Sequence, residues 1–113
     1  MMEKIDLTYL NSITDGNKEF VTELIDIIKI QLPEFIEDLN KAYSNKDNET
    51  LSKIAHKAKS TIAIMGLQSL TDLLNKLERE AANNENEAAY EGYIKEFELS
   101  ATNGLEQLEA IFN

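Results

Sequence analysis

An all-α fold, an antiparallel up-and-down four-helix bundle with a short N-terminal lead-in helix, is predicted by three observations. Apolar residues recur at helical spacing along nearly the whole chain. The 113 residues include only four glycines and one proline, few for a turn-rich β protein. No stretch alternates between β-branched and polar residues as a strand would. The polar breaks are short, and short connections favour antiparallel neighbours. The length suits a single domain over residues 1–113, with one core.

Each element has its own signal. Leu7 and Leu10 begin the lead-in helix, and Thr14-Asp15-Gly16-Asn17 is a turn cluster that ends it. A long helix follows on the stripe Phe20, Leu24, Ile28, Leu32, Phe35, Leu39 and Ala42. Pro33 lies inside it; a proline there removes one backbone hydrogen bond, so a kink is expected rather than two helices. After the polar turn Ser44 to Asn48, a third helix runs from about Glu49 to Met65, and Gly66 stands where a left-handed C-terminal cap wants glycine. Leu67, Leu70, Leu73, Leu74 and Leu77 make the fourth stripe. Asn84 and Glu87 have the spacing of a capping box for the last helix, whose buried face is Tyr90, Ile94, Phe97, Ala101, Leu105, Leu108 and Phe112.

Composition excludes several classes. The net charge of −10 argues against nucleic acid and against an anionic membrane surface, since both are bound through clustered Lys and Arg. No apolar run reaches the roughly 18 residues that cross a bilayer, and the start Met1 to Asp6 lacks a signal-peptide pattern, so a cytoplasmic protein is expected. Met1 and the acidic termini favour a freestanding chain over a piece of a larger sensor. The chain has no cysteine, hence no disulfide and no thiolate chemistry. A monomer is expected, because one core consumes the apolar stripes.

The single histidine, His56, is the most informative residue. At 100° per residue, the apolar residues Leu51, Ile54, Ala58, Ile62 and Met65 cluster about 120–180° away from it. Its neighbours on the wheel are Ser52, Lys59, Ser60 and Ala63, all within about 60°. The imidazole therefore faces outward among small side chains and a lysine. No acidic residue occurs between Glu49 and Asp72, whereas Lys53, Lys57 and Lys59 do. Such a window suits a phosphoryl group or an acidic partner. Zinc would need more ligands than one histidine, a Ser-His-Asp triad would need an oriented carboxylate that no local pattern suggests, and a nucleotide would need a Gly-rich loop. No metal site and no cofactor of the chain's own is expected.

The string Ala55-His56-Lys57-Ala58-Lys59-Ser60-Thr61-Ile62-Ala63-Ile64-Met65-Gly66-Leu67 resembles the signature of histidine-containing phosphotransfer (HPt) domains of bacterial phosphorelays. His56, Ala58, Lys59 and Gly66 match; Leu70, Leu74, Leu77 and Glu78 resemble the helix that follows; the lead-in helix and the proline-bearing helix are similar too. Ser60 departs, since the family usually has glycine there. The resemblance implies that His56 accepts a phosphoryl group from a receiver-domain aspartate and passes it to another receiver aspartate. An imidazole titrates near 6.5, so its nucleophilic neutral form is abundant at pH 7. In the family the nitrogen used is Nε2. Lys59, three residues on, shares the face of His56 and would offset phosphoryl charge. Ser52, Ser60 and Ala63 would form the receiver-docking surface. The implied partners are response-regulator receivers, which carry the Mg2+ ion and the acidic pocket, and a hybrid sensor histidine kinase. The chain would be a phosphoryl carrier and not an autonomous kinase. The alternative is a helical module that binds a receiver or kinase without carrying phosphate.

Overall fold

The computed structural model describes residues 3–112, so the first and last residues of the expected 1–113 domain lie outside the described part. It contains α1 (Thr8–Thr14), α2 (Lys18–Ser44), α3 (Asn48–Ile64), α4 (Gln68–Ala82), a 3-10 turn (Glu87–Ala89) and α5 (Tyr90–Phe112). At 1.5 Å rise per residue, the 27 residues of α2 account for about 40 Å. The whole bundle measures 42 × 24 × 20 Å, so this one helix spans its length. α2 runs unbroken through Pro33, which sits on its exposed side.

Caps explain where the helices begin and end. The Asn17 side chain accepts from Phe20 N at 3.0 Å and starts α2. Asp47 accepts from both the backbone N (3.1 Å) and the hydroxyl (2.7 Å) of Thr50 and starts α3. The Thr50 hydroxyl, and then its backbone N–H, hold the Asp47 carboxyl below the usual range. At the far end of α3, Gly66 takes φ +69°, as expected of a left-handed cap. Leu67 N donates to Ile62 O and Gly66 N to Ala63 O, the two bonds of a Schellman ending. The capping box expected at Asn84 and Glu87 does not form. Asn84 adopts φ +55° and its amide oxygen accepts from Asn48 across the bundle, while the cap position before the 3-10 turn falls to Asn86.

α3 and α4 run antiparallel: Asn48 meets Asn84 at one end, Ser52 meets Glu78, and Lys59 meets Asn75 towards the turn at Gly66. Their inner faces, Leu51, Ile54, Ala58 and Ile62 with Leu70, Leu74 and Leu77, join Leu39 of α2 and Phe97 and Leu108 of α5 in one core. Burying each such leucine contributes about 1.5–3 kcal/mol. The α2 stripe is rotated from the one expected. Val21 and Ile25 are buried, whereas Phe20 is exposed and Leu24 half-buried. Residues 21, 25, 28, 32 and 39 fall within about 60° on the wheel, and position 20 lies outside that arc.

The segment before α1 crosses one end of the bundle. The N-cap residue of α4, Leu67, offers no side-chain cap. Glu3 supplies one from a distance: both its carboxylate oxygens accept from Ser69 N at 3.1 Å. The Gln107 amide accepts from Ile5 N and donates to Glu3 O, each at 3.0 Å. The Asp6 backbone lies so close over Gly66 that any Cβ there would overlap it.

Candidate functional site

α3 carries its apolar stripe inward and so holds His56 outward; the histidine side chain is 66% exposed. The site is completed from α4. Leu74 and Leu77 seat that helix in the core, which brings Glu78, beside Leu77, over the flank of α3. Glu78 Oε2 lies 2.8 Å from His56 Nδ1, and Glu78 Oε1 lies 2.6 Å from Lys59 Nζ. Lys59 Nζ also donates to Asn75 Oδ1 at 2.9 Å. The Ser52 hydroxyl donates to the Glu78 backbone carbonyl at 2.8 Å and fixes this part of α4 against α3. His56 and Lys59 on one helix thus face Glu78 and Asn75 on the other, each pair three residues apart.

Local spacing around His56 points to no carboxylate and misses Glu78, which reaches the ring from α4. The acid-free window between Glu49 and Asp72 holds along the chain but not in space. Asn75 was missed as well. The signal that locates both is the hairpin itself: folding the chain back at Gly66 sets His56, ten residues before it, against Glu78, twelve after, and Lys59, seven before, against Asn75, nine after. Periodicity within one helix says nothing of this.

Electrostatics fix the chemistry of the pair. Burial pushes the Glu78 carboxyl up, but the hydrogen bonds from Lys59 and His56 outweigh it and hold it below the usual glutamate value. At neutral pH it is a carboxylate, which only accepts. The proton of a neutral imidazole at this position is therefore on Nδ1, donated to Glu78. Nε2 keeps its lone pair and points away from the carboxylate. A shallow depression of about 330 Å3 surrounds the ring, lined by Ser52, Lys53, His56, Lys57 and Glu78.

The other expected site residues are distributed as follows. Ser60 is exposed, and its hydroxyl donates to Lys57 O at 3.2 Å, within its own helix. Ala63 lies two turns along from His56 and lines a separate open groove of about 460 Å3 between α1 and the α3–α4 turn, with Tyr9, Ser12, Gln68 and Thr71 among its walls. Lys59 is 23% exposed and drawn towards α4 rather than standing free beside the ring. Lys53 pairs with Glu49 at 3.2 Å. Among the described residues no cluster of three or more potential metal-ligating His, Cys, Asp or Glu side chains occurs.

The family model of the Hpt domain matches residues 23–111. The chain belongs to the Hpt domain family. It is thus a histidine-phosphotransfer module of the phosphorelay type, in a family of phosphoryl carriers that meet receiver domains and kinases in two-component signalling. No match was found among curated proteins or among solved structures. The match begins within α2, so α1 and the segment that crosses the bundle end precede the matched region. No helix among the described residues is long and apolar enough to cross a membrane.

Proposed function

We propose that this Hpt domain is a phosphorelay intermediate whose acceptor is His56 Nε2. The observation that carries the reading is the outward imidazole with Glu78 on Nδ1, which leaves Nε2 as the nucleophile. The lone pair of Nε2 attacks the phosphorus of a receiver aspartyl phosphate. The Nε2–P bond forms as the P–O bond to the aspartyl carboxyl breaks, and the aspartate leaves as a carboxylate. The ring gains positive charge while its proton stays on Nδ1, donated to the Glu78 carboxylate, whose negative charge offsets it. The reverse sequence delivers the group to the aspartate of a second receiver. Magnesium, in this reading, is supplied by the receiver. Lys59 offsets phosphoryl charge once the group is on the ring.

A receiver that places its aspartyl phosphate at Nε2 covers about 800 Å2 of this chain. That footprint takes in Ser52 and Ser60 and reaches Ala63 beside the groove under α1. Lys53 and Lys57, both exposed, give its rim positive charge in a chain of net charge −10. Changing Ala63→Trp fills this dock and blocks transfer without touching His56.

The test is incubation with a phosphorylated receiver followed by measurement of acid-labile label on the chain. Wild type takes up label and His56→Gln takes up none, while both keep the same helicity. Equal label on the two proteins rejects the reading. Binding and signalling that survive His56→Ala unchanged would instead support a module that docks without carrying phosphate.

A further inference from the structure

Lys59 lies three residues along α3 from His56, yet in the resting protein its ammonium is spent elsewhere. Glu78 Oε1 and Asn75 Oδ1 hold Nζ at 2.6 and 2.9 Å. Glu78 lies on the Nδ1 side of the imidazole, whereas a phosphoryl group on Nε2 would lie on the other. Lys59 must therefore loosen its hold on the carboxylate to meet the phosphoryl charge. What remains to it on α4 is Asn75, a neutral acceptor. An ammonium has three donors, so Nζ can keep Asn75 while exchanging Glu78 for a phosphoryl oxygen.

We propose that Asn75 is a positioning residue for phosphoryl transfer: it anchors Lys59 Nζ through an uncharged contact that leaves the ammonium free to move between Glu78 and the phosphoryl group on His56. The inference rests on the carrier reading above and adds to it the control of the lysine. Neutrality is the point of the residue. A carboxylate of the same size at position 75 would give Nζ two anionic partners, and the phosphoryl group would have to compete with both.

The experiment compares wild type, Asn75→Asp, Lys59→Ala and the double variant. The readout is the rate at which His56 takes label from phosphoramidate, a small donor that needs no docking surface; its P–N bond breaks, the Nε2–P bond forms and ammonia departs. Position 75 is exposed and Lys59 lies off the apolar stripe, so all four proteins keep the bundle. Asn75→Asp slows uptake about tenfold where Lys59 is present, a factor expected of one partly screened charge. In the Lys59→Ala background the same change alters the rate by less than about twofold, because the effect runs through the lysine. An equal slowing in both backgrounds reveals a direct charge effect and overturns the proposal, as does no slowing with Lys59 present. A wild-type chain that takes no label from phosphoramidate or from any receiver removes the carrier reading, and this inference with it; labelled wild type with an equal effect in both backgrounds removes only the role of Asn75.

Discussion

Glu78 shares its charge between two partners, with one oxygen on His56 Nδ1 and the other on Lys59 Nζ. Removing it should therefore show in two measurements. In Glu78→Ala, nitrogen NMR of the imidazole should report a mixture of tautomers in place of the Nδ1–H form, and label uptake at His56 should fall about tenfold as Nε2 is protonated part of the time and the ring charge goes unbalanced. Unchanged tautomer and rate would show that the carboxylate only holds the lysine. The second measurement is pH dependence. The folded-state pKa of Glu78 lies below its unfolded value, so its stabilisation is complete above the usual glutamate range, about pH 4.3, and is lost as pH falls through the lower folded value. The side chain is 28% exposed, so the gain is about 1 kcal/mol or less. Denaturation midpoints of wild type and Glu78→Gln should converge on acidification. A gap that widened in acid would contradict the assigned direction.

At the scale of elements, the α3–α4 hairpin turns on Gly66, which meets two requirements at once. Its φ of +69° disfavours any side chain, and the Asp6 backbone covers the space a Cβ would need. Gly66→Ala should cost more than the roughly 1 kcal/mol typical of a left-handed position alone, and lower the midpoint of chemical denaturation accordingly. A loss no greater than Gly16→Ala, at a left-handed site with open space around it, would mean that the crossing segment yields easily. The cap at α4 is a separate test. Glu3→Ala should cost about 0.5–2 kcal/mol, since it leaves Ser69 N without its carboxylate. The end of α3 was legible in the sequence, because glycine after a periodic run is a local signal. The cap of α4 was not, because the carboxylate that accepts there is 66 residues away. Asn84 shows the converse: a local capping pattern lost to a tertiary partner, Asn48.

For the molecule as a whole, the stripes on α3 and α5 matched their expected faces, since one solvent-excluded core imposes one helical period on each. The outward placement of His56 follows from the same rule. The acid and amide opposite it belong to a second helix, and their meeting depends on how two stripes pack together. The charge distribution is also a property of the whole. A chain of net charge −10 that keeps Lys53 and Lys57 beside its outward histidine should gather an acidic partner quickly at low salt. Association with a receiver should slow about tenfold as salt is raised from low to several hundred millimolar, and Lys57→Glu should lower the low-salt rate with little change at high salt. A salt-independent rate would place the basic window outside the encounter surface.

The backbone N–H of Ile5 finds its acceptor on Gln107, 102 positions further along. On a ribosome that acceptor emerges 102 residues after its donor, so this bond waits for α5 even though Glu3 can already reach Ser69. The seam at this end of the bundle joins segments that leave the ribosome far apart in time. A chain cut short before Gln107 would lack both of its bonds to the opening segment, however well the middle helices had already packed.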